Sequence, residues 1–354
     1  MKKVRILSLD GGGMRGIIPA TVLEYVENKI IEITKNKNAR IADYFDLVAG
    51  TSTGGILSAF YLTPAKNVFS EDPSSKFKAS EALEFYSKYG YSIFNQSKKF
   101  GWFGLRQLFN AAKYSPKELE KILKEKFQFL QLKELLKPCI ITTYNMQNKN
   151  AFFFSSREPM EKDREFYVKD VLRSTSAAPT YFPPAFIKNL ANEKQMINID
   201  GGVFANNPAM CAYSEGRATA FKKVAFPSAK DMLILSIGTG GGQFNLPNVE
   251  KSNTWGILPW ASSIPNIMMD GSIDTVDYQM KNIFDTLNQQ DKFNYKRVDV
   301  PKDMRTYSSD MADASPANIE ALKKAGKDAL KAAQKKSDNA YTLDEFIQQL
   351  IDNH

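Results

Sequence analysis

The chain has 354 residues, 43% of them hydrophobic and 24% charged, a globular composition that excludes a disordered, collagen-like or disulfide-framework protein. It contains two cysteines, and its 47 basic and 39 acidic side chains give a net charge of +8, which favours anionic partners such as a membrane surface or nucleic acid. The one histidine, His354, ends the sequence, so a His-based catalytic triad or a His-rich metal site is nearly excluded.

The predicted elements alternate between short apolar strands and longer helices with an apolar stripe. Strands are expected at residues 4–9, 45–49, 139–143, 151–155, 196–199 and 232–237. Helices are expected at residues 17–34, 56–62, 80–89, 116–127 and 315–334. Because a glycine-rich turn joins strand to helix more than once, the sequence predicts an α/β fold with a mainly parallel sheet covered by helices on both faces.

The first glycine-rich turn follows a predicted strand and precedes a predicted helix. Gly11, Gly13 and Gly16 match G-x-G-x-x-G, which suggests dinucleotide binding, but the acidic residue that this motif requires about 20 positions later is missing. The glycines can instead simply allow a tight turn, or Gly11, Gly12 and Gly13 can aim backbone N–H groups at an anion, as in an oxyanion hole. Arg15 would then add charge or brace the loop through a salt bridge.

The second glycine-rich turn, Gly50-Thr51-Ser52-Thr53-Gly54, fits G-x-S-x-G between a strand and a helix. In that context the motif is a nucleophile elbow, which needs small flanking residues because the serine occupies a strained, sharp turn. Ser52 would project at the carboxyl end of the sheet, where open α/β folds bind ligands. The simpler alternative is that Ser52 caps the following helix.

A serine needs an adjacent base to become a nucleophile, and no histidine is available upstream of the final residue. Asp200 directly follows the strand predicted at 196–199, and it would lie at the same sheet edge as Ser52 if the two strands are parallel. Its simpler role is to cap the turn that follows it. Asp10 holds a similar post-strand position but adjoins the glycines, so it is expected to order their loop.

Three spaced segments together resemble the patatin-like phospholipase family, and plant patatins in particular. They are 10–16 (DGGGMRG), 50–55 (GTSTGG) and 200–202 (DGG), and the similarity extends to 174–183 (STSAAPTYFP), 205–208 (ANNP) and 311–318 (MADASPAN). The resemblance implies a three-layer α/β/α fold in a single domain over residues 1–354. In that domain, a motif-bearing core at about 1–245 would be followed by a C-terminal helical extension at about 270–354.

By this resemblance, Ser52 matches the nucleophile of a Ser–Asp dyad, Asp200 its general base, and Gly11, Gly12 and Gly13 the oxyanion loop. The implied activity is that of a phospholipase A-type acyl hydrolase, which cleaves fatty-acyl esters of phospholipids or galactolipids through an acyl-enzyme. The lack of a usable histidine agrees with a dyad independently of the resemblance. The alternatives are a catalytically weak lipid-binding or storage protein and, with less support, a nucleotide-dependent oxidoreductase.

The expected partners are a lipid ester and, through the surplus of positive charge, an anionic membrane surface, while nucleic acid is not predicted. Aromatic residues beside glycine or proline at 97–103 and 255–260 are candidates for contact with a bilayer or an acyl chain, although such segments more often pack into a core. The apolar start is too short for a signal peptide, and no run reaches the roughly 18 apolar residues of a membrane span. A cytoplasmic protein is therefore expected.

No metal or cofactor is predicted, because the chain has neither a cluster of His and Cys nor a D-x-D-x-D-G calcium loop. Residues 238–242 (GTGGG) could cradle a phosphate but are interpreted more simply as a strand-end turn. We therefore expect hydrolysis of a soluble short-chain ester to survive EDTA. Loss of activity with the chelator, followed by recovery with calcium, would contradict this prediction.

Overall fold

The computed structural model describes residues 2–65, 74–94, 112–157, 164–241, 249–336 and 340–354. Its strands are Val4–Leu9 (β1), Leu47–Gly50 (β2), Cys139–Asn145 (β3), Asn150–Ser155 (β4), Ala185–Lys188 (β5), Gln195–Asp200 (β6), Met232–Ile237 (β7) and Tyr295–Val298 (β8). Its α-helices are Ile17–Thr34 (α1), Thr53–Leu62 (α2), Ala79–Phe94 (α3), Lys117–Phe127 (α4), Val168–Thr175 (α5), Gly202–Ala205 (α6), Ala209–Arg217 (α7), Ile257–Asp285 (α8), Pro316–Gln334 (α9) and Leu343–Asp352 (α10).

The eight strands form one mixed sheet with a parallel centre. β1 pairs in parallel with β2 and β7, and the β2–β3 and β7–β8 pairs are parallel as well. β4 and β6 run antiparallel to β3, and β5 runs antiparallel to β6. Leu7 and Leu9 face a core formed with α1 and its neighbours, whereas Val4 and Ile6 face a second core formed with α7 and α8. The predicted three-layer α/β/α fold is thereby confirmed.

Most predicted elements are present with shifted ends, and β1, α1 and β7 have the predicted bounds. The local pattern did not predict α8, which contains Pro265, a residue that normally breaks a helix interior, although its second half falls in the helical extension that the resemblance implied from about 270. The aromatic segment at 255–260 runs into the start of this helix, and the one at 97–103 lies outside the described residues. Of the helices in the described ranges, none combines the length and the apolar character that crossing a membrane requires.

β2 and β6 meet end to end along one edge of β3. Ile141 of β3 pairs with Gly50 of β2, and Thr143 pairs with Asp200 of β6, while both β3 residues also pair with β4. Since β4 occupies one edge of β3, β2 and β6 must share the other. β6 is therefore antiparallel to β2, and the parallel arrangement considered from the sequence is wrong. The carboxyl ends of β2 and β6 nevertheless point toward each other from either side of Thr142. Asp200 therefore lies beside the turn after β2.

The carboxyl terminus packs at the opposite end of the sheet from the glycine-rich turns. The Lys3 N–H donates to Asn353 Oδ1 at 2.7 Å, and the His354 ring stacks on Tyr44 with centroids 4.7 Å apart. The eight residue steps from Lys3 to Gly11 follow β1, and at about 3.3 Å each they span up to roughly 26 Å. His354 therefore lies far from the candidate site.

Candidate active site

Ser52 stands on a sharp turn between β2 and α2. Its backbone has φ 53° and ψ −120°, a conformation with positive φ that non-glycine residues rarely adopt. A Cβ on Gly54 would lie 2.1 Å from the Leu9 carbonyl oxygen, and a Cβ on Gly50 would lie 2.4 Å from the Gly54 oxygen, so both flanking positions need glycine. The Ser52 side chain does not cap α2. This geometry favours the nucleophile-elbow interpretation over the helix-cap alternative.

Three buried threonines hold the elbow in place. Thr175 accepts a hydrogen bond from the Ser52 N–H at 2.8 Å and donates its own to the Thr142 carbonyl oxygen at 2.7 Å. Thr51 donates to the Ala205 carbonyl oxygen at 2.7 Å, and its hydroxyl contacts that of Thr142 at the same distance. The motifs in the sequence assigned no role to these threonines, although Thr175 lies in the 174–183 segment that carries part of the family resemblance. Together they tie the elbow to β3, α5 and α6.

Asp200 ends β6 and is only 4% exposed. The Gly202 N–H donates to Asp200 Oδ1 at 2.7 Å. Burial raises the pKa of Asp200 to about 7, although the adjacent Ser52 side chain and the Gly202 N–H both act in the opposite direction. An exposed aspartate titrates near 3.9, so this carboxylate is a much better base at neutral pH. The two residues that the sequence singled out are thus in contact.

The first glycine-rich turn lies against the elbow, since a Cβ on Gly11 would be 3.3 Å from Ser52 Cβ. The Gly11 N–H donates to the Asn206 carbonyl oxygen at 2.9 Å, so it is engaged within the chain. Among the described residues, no acceptor takes the N–H group of Gly12 or of Gly13. An oxyanion role therefore fits Gly12 and Gly13 better than Gly11.

Asp10 is committed to a buried ion pair behind this turn. Its two carboxylate oxygens accept from Arg297 Nη1 at 2.9 Å and Nη2 at 2.6 Å. Burial raises the pKa of Asp10 to about 6, and the Arg297 charge opposes that rise. The acidic partner in turn raises the pKa of the arginine. Asp10 thus anchors the start of the glycine loop instead of approaching Ser52. No motif near Arg297 in the sequence indicated that it would pair with Asp10.

Arg15 is 8% exposed and braces the same loop through a carbonyl group. Its Nε donates to the Gly12 oxygen at 3.4 Å, and its backbone N–H donates to that oxygen at 3.1 Å. Within the part of the chain that the structure describes, Arg15 forms no ion pair, so the carbonyl contact replaces the salt bridge considered from the sequence. Its positive charge lies beside the loop, where it would favour an anion.

An apolar cavity of about 60 Å³ opens beside Ser52. Its walls include the aliphatic and aromatic side chains of Ile56, Phe85, Ile93, Phe94, Leu119 and Phe182. Such a lining suits an alkyl chain and offers little to a polar group. A larger cavity of about 910 Å³, lined by charged residues of α8 and the β8 region, contains neither Ser52 nor Asp200 among its described lining residues.

α8 supports the loop that follows Asp200. The Asn206 N–H donates to Ser272 Oγ at 3.0 Å, and Met269 Sδ would lie 3.4 Å from a Cβ on Gly202. A helix that the sequence pattern did not predict therefore helps to position the candidate base. The described residues contain no group of three or more His, Cys, Asp or Glu side chains arranged to hold a metal ion.

The fold and this site define an α/β protein with a candidate serine nucleophile where β2 and β6 meet. Residues 7–213 match the family model for patatin-like phospholipase. Patatin-16 of Solanum tuberosum is 36% identical over 97% of this chain and 88% of its own length, and Patatin-17 of Solanum cardiophyllum is 35% identical with the same coverage. The chain belongs to the patatin-like phospholipase family, which confirms the resemblance seen in the motifs.

Membership makes the chain a lipid acyl hydrolase and removes support from the dinucleotide interpretation of the first glycine-rich turn. Among solved structures, VipD from Legionella pneumophila aligns with a TM-score of 0.41 and 13% identity, over 100% of this chain and 67% of that one. The family assignment rests on the sequence relatives and the family model, which cover the elbow, the first glycine-rich turn and Asp200.

Proposed function

We propose that the chain is a phospholipase A-type enzyme that releases fatty acids from phospholipids or galactolipids through a Ser52–Asp200 dyad. One observation carries the proposal: a partly exposed serine on a strained elbow lies beside a buried carboxylate whose pKa is raised. The apolar cavity beside this serine supports an acyl chain as the bound group. Esters are favoured over amides, because an alkoxide leaves more readily than an amine.

In the proposed reaction, Asp200 accepts the Ser52 proton as Oγ attacks the ester carbonyl carbon. Gly12 and Gly13 donate backbone hydrogen bonds to the oxyanion, and one such donor is typically worth about 10²–10³ in rate. Collapse of the tetrahedral intermediate breaks the ester bond, and the departing alcohol takes the proton from Asp200. A water that Asp200 deprotonates then attacks the acyl-enzyme and releases the fatty acid, restoring Ser52.

The pH dependence of hydrolysis should report the raised pKa of the base. Asp200 can accept a proton only when ionised, so kcat/KM for a soluble butyrate ester is expected to rise with pH through an apparent pKa of about 7 and to level off above it. Below that pKa, the rate should fall about tenfold per pH unit. A rise centred near 4, the value of an exposed aspartate, would contradict this role for Asp200.

We further propose that the whole chain forms one domain. Leu322 of α9 and Leu350 of α10 share one continuous core with Leu7 of β1, and both helices pack on α1. This packing supports a C-terminal helical part that is integral to the enzyme rather than a separate unit.

The first half of α8 is the proposed contact with the lipid surface. Trp260, Ile264, Ile267 and Met268 are 37–45% exposed and recur at the spacing of one helix face. Residues 252–269 contain no charged side chain, although the chain as a whole carries a net charge of +8. The same helix continues to Met269 beside the site, so a bilayer that received this face would bring its esters close to Ser52.

A Trp260→Ser/Ile264→Ser double variant tests this contact. Each apolar side chain that no longer enters the bilayer reduces the binding free energy by about 1.5–3 kcal/mol. Because this weakens binding to the vesicle, vesicle hydrolysis is expected to fall at least about tenfold. Hydrolysis of a soluble butyrate ester should remain at the wild-type rate. Tyr278→Ser, which removes a more exposed aromatic side chain further along α8, is the control. Equal losses on both substrates, or vesicle activity at the wild-type level, would contradict the proposed surface.

Product analysis tests the proposed activity itself. The purified protein is incubated separately with phosphatidylcholine and with galactosyldiacylglycerol vesicles, and the products are quantified by mass spectrometry. Free fatty acid and the matching lysolipid are expected in equal amounts. Release of diacylglycerol or phosphatidic acid would indicate cleavage of a head-group bond in place of a fatty-acyl ester. Fatty-acid release no greater than that of a Ser52→Ala variant would favour a lipid-binding or storage protein.

A further inference from the structure

The turn after β7 packs directly on the glycine loop. Thr239 in this turn is fully buried, and its hydroxyl donates to the Gly11 carbonyl oxygen at 2.6 Å. A Cβ on Gly12 would lie 2.5 Å from Thr239 Oγ1 and 2.8 Å from its Cβ, so the Thr239 side chain packs against Gly12 as closely as glycine allows. The sequence interpretation of this segment, a plain strand-end turn or a phosphate cradle, left Thr239 without a role.

The hydrogen bond from Thr239 determines how the peptide between Gly11 and Gly12 is oriented. The carbonyl of Gly11 and the N–H of Gly12 belong to one planar trans peptide and point in opposite directions. Holding the carbonyl toward Thr239 therefore directs the Gly12 N–H to the other side of the loop. Ser52 Cβ lies 3.3 Å from where a Cβ of Gly11 would be, so the serine is adjacent to this same peptide.

The turn that carries Thr239 is itself fixed by a network that reaches Asp10. Asp299 accepts from the Gly240 N–H at 2.8 Å and from Arg297 at 2.9 Å, and Arg297 holds the carboxylate of Asp10. The Tyr307 hydroxyl donates to the Gly240 carbonyl oxygen at 2.8 Å. The Gly11 carbonyl and the preceding Asp10 are thus both tied to the β7–β8 side of the sheet.

We propose that Thr239 is a positioning residue for the acyl hydrolase reaction, and that its hydroxyl orients the Gly11–Gly12 peptide so that the Gly12 N–H donates to the oxyanion. Glycine has little intrinsic preference for one peptide orientation, so the loop needs an external partner to fix it. Without the hydroxyl, the peptide can rotate and present a carbonyl oxygen where the oxyanion forms. This inference rests on the proposed function of the Ser52 site.

Thr239→Val removes the hydroxyl and keeps the shape of the side chain. We expect kcat on a soluble butyrate ester to fall by at least about tenfold and by no more than about 10²–10³, the loss typical of removing one oxyanion donor. KM should change less than about threefold. Thr239→Ser restores the hydroxyl and should recover most of the lost rate. Thr219→Val is the matched control, because the buried Thr219 hydroxyl also donates to a backbone oxygen at 2.6 Å but lies away from the loop.

Inhibitor binding distinguishes positioning from general destabilisation. A long-chain trifluoromethyl ketone forms a tetrahedral adduct that carries an oxyanion, whereas a long-chain alcohol only occupies the acyl cavity. Ketone affinity should fall in Thr239→Val in proportion to kcat/KM, and alcohol affinity should stay within about twofold. Equal losses for both inhibitors, an unchanged kcat, or a failure of Thr239→Ser to recover activity would overturn the proposal. If Thr239→Val does not fold, Thr239→Ala provides the same comparison.

Wild-type protein and Ser52→Ala are measured in parallel. If the wild type shows no turnover above Ser52→Ala, the proposed function itself fails. If the wild type is active and Thr239→Val matches it, only the positioning role fails.

Discussion

Ser52→Ala is expected to lower ester hydrolysis by several orders of magnitude, to the level of the buffer reaction. The substitution removes the attacking oxygen. In serine hydrolases, removing the nucleophile alone lowers kcat about as much as removing the nucleophile together with its partner catalytic residues. The fold should persist, because the Ser52 N–H keeps its hydrogen bond to Thr175 and the side chain does not cap α2. The measurements are steady-state hydrolysis of a butyrate ester and the thermal unfolding temperature.

Ser58→Ala is the matched control for this variant. Ser58 lies in α2, the helix that follows Ser52, is fully buried, and donates a hydrogen bond from its hydroxyl to the Gly54 carbonyl oxygen at 2.8 Å. Its loss should change stability modestly, by about 1 kcal/mol, and leave hydrolysis near the wild-type rate. A folded Ser52→Ala protein with unchanged turnover would refute Ser52 as the nucleophile.

Asp200→Asn is the second substitution with a large expected effect. The amide keeps the shape of the carboxylate but cannot accept the serine proton, so hydrolysis is expected to fall by about three orders of magnitude or more. The hydrogen bond from Gly202 N–H can persist on the amide oxygen, which limits the structural consequence. The measurement is kcat/KM on a soluble ester across pH 5 to 9, where the rise near pH 7 should disappear together with the base.

Deletion of His354, the one histidine of the chain, is the control for Asp200→Asn in the same experiment. This histidine stacks on Tyr44 at the opposite end of β1 from the glycine loop, so its removal is expected to change hydrolysis by less than about twofold. The two-residue mechanism would be wrong if the deletion destroyed activity in a folded protein while Asp200→Asn remained active.

Several features of the fold could be predicted because their signals are local. The apolar run of β1 and the helical stripe of α1 are each read from adjacent residues, and both have the predicted bounds. The elbow at Ser52 was predictable for the same reason, since glycines at fixed offsets permit a turn that other residues cannot form. By contrast, α8 contains Pro265, which a local pattern treats as a helix breaker, and its persistence depends on packing against the loop after β6.

The relation between Ser52 and Asp200 shows what a local pattern cannot supply. The sequence placed the two residues at one sheet edge only on the condition that their strands were parallel. β6 is instead antiparallel to β2, and the residues meet because both strands share one edge of β3. The partners that organise the loop are also distant in sequence: Thr239 lies 228 residues from Gly11, and Arg297 lies 287 residues from Asp10. Such pairings depend on strand order and register, which a single sequence does not encode in any short window.

Labelling with a fluorophosphonate probe, followed by mass-spectrometric mapping of the modified residue, tests the central claim most directly. The probe reacts with an activated serine and needs no knowledge of the lipid substrate. The account predicts one modified residue, Ser52, with no labelling in Ser52→Ala and much slower labelling in Asp200→Asn. Ser176 also lines the cavity, and its buried hydroxyl has no hydrogen-bond partner among the described residues. Modification of Ser176 or another serine, with Ser52 unmodified, would contradict the account.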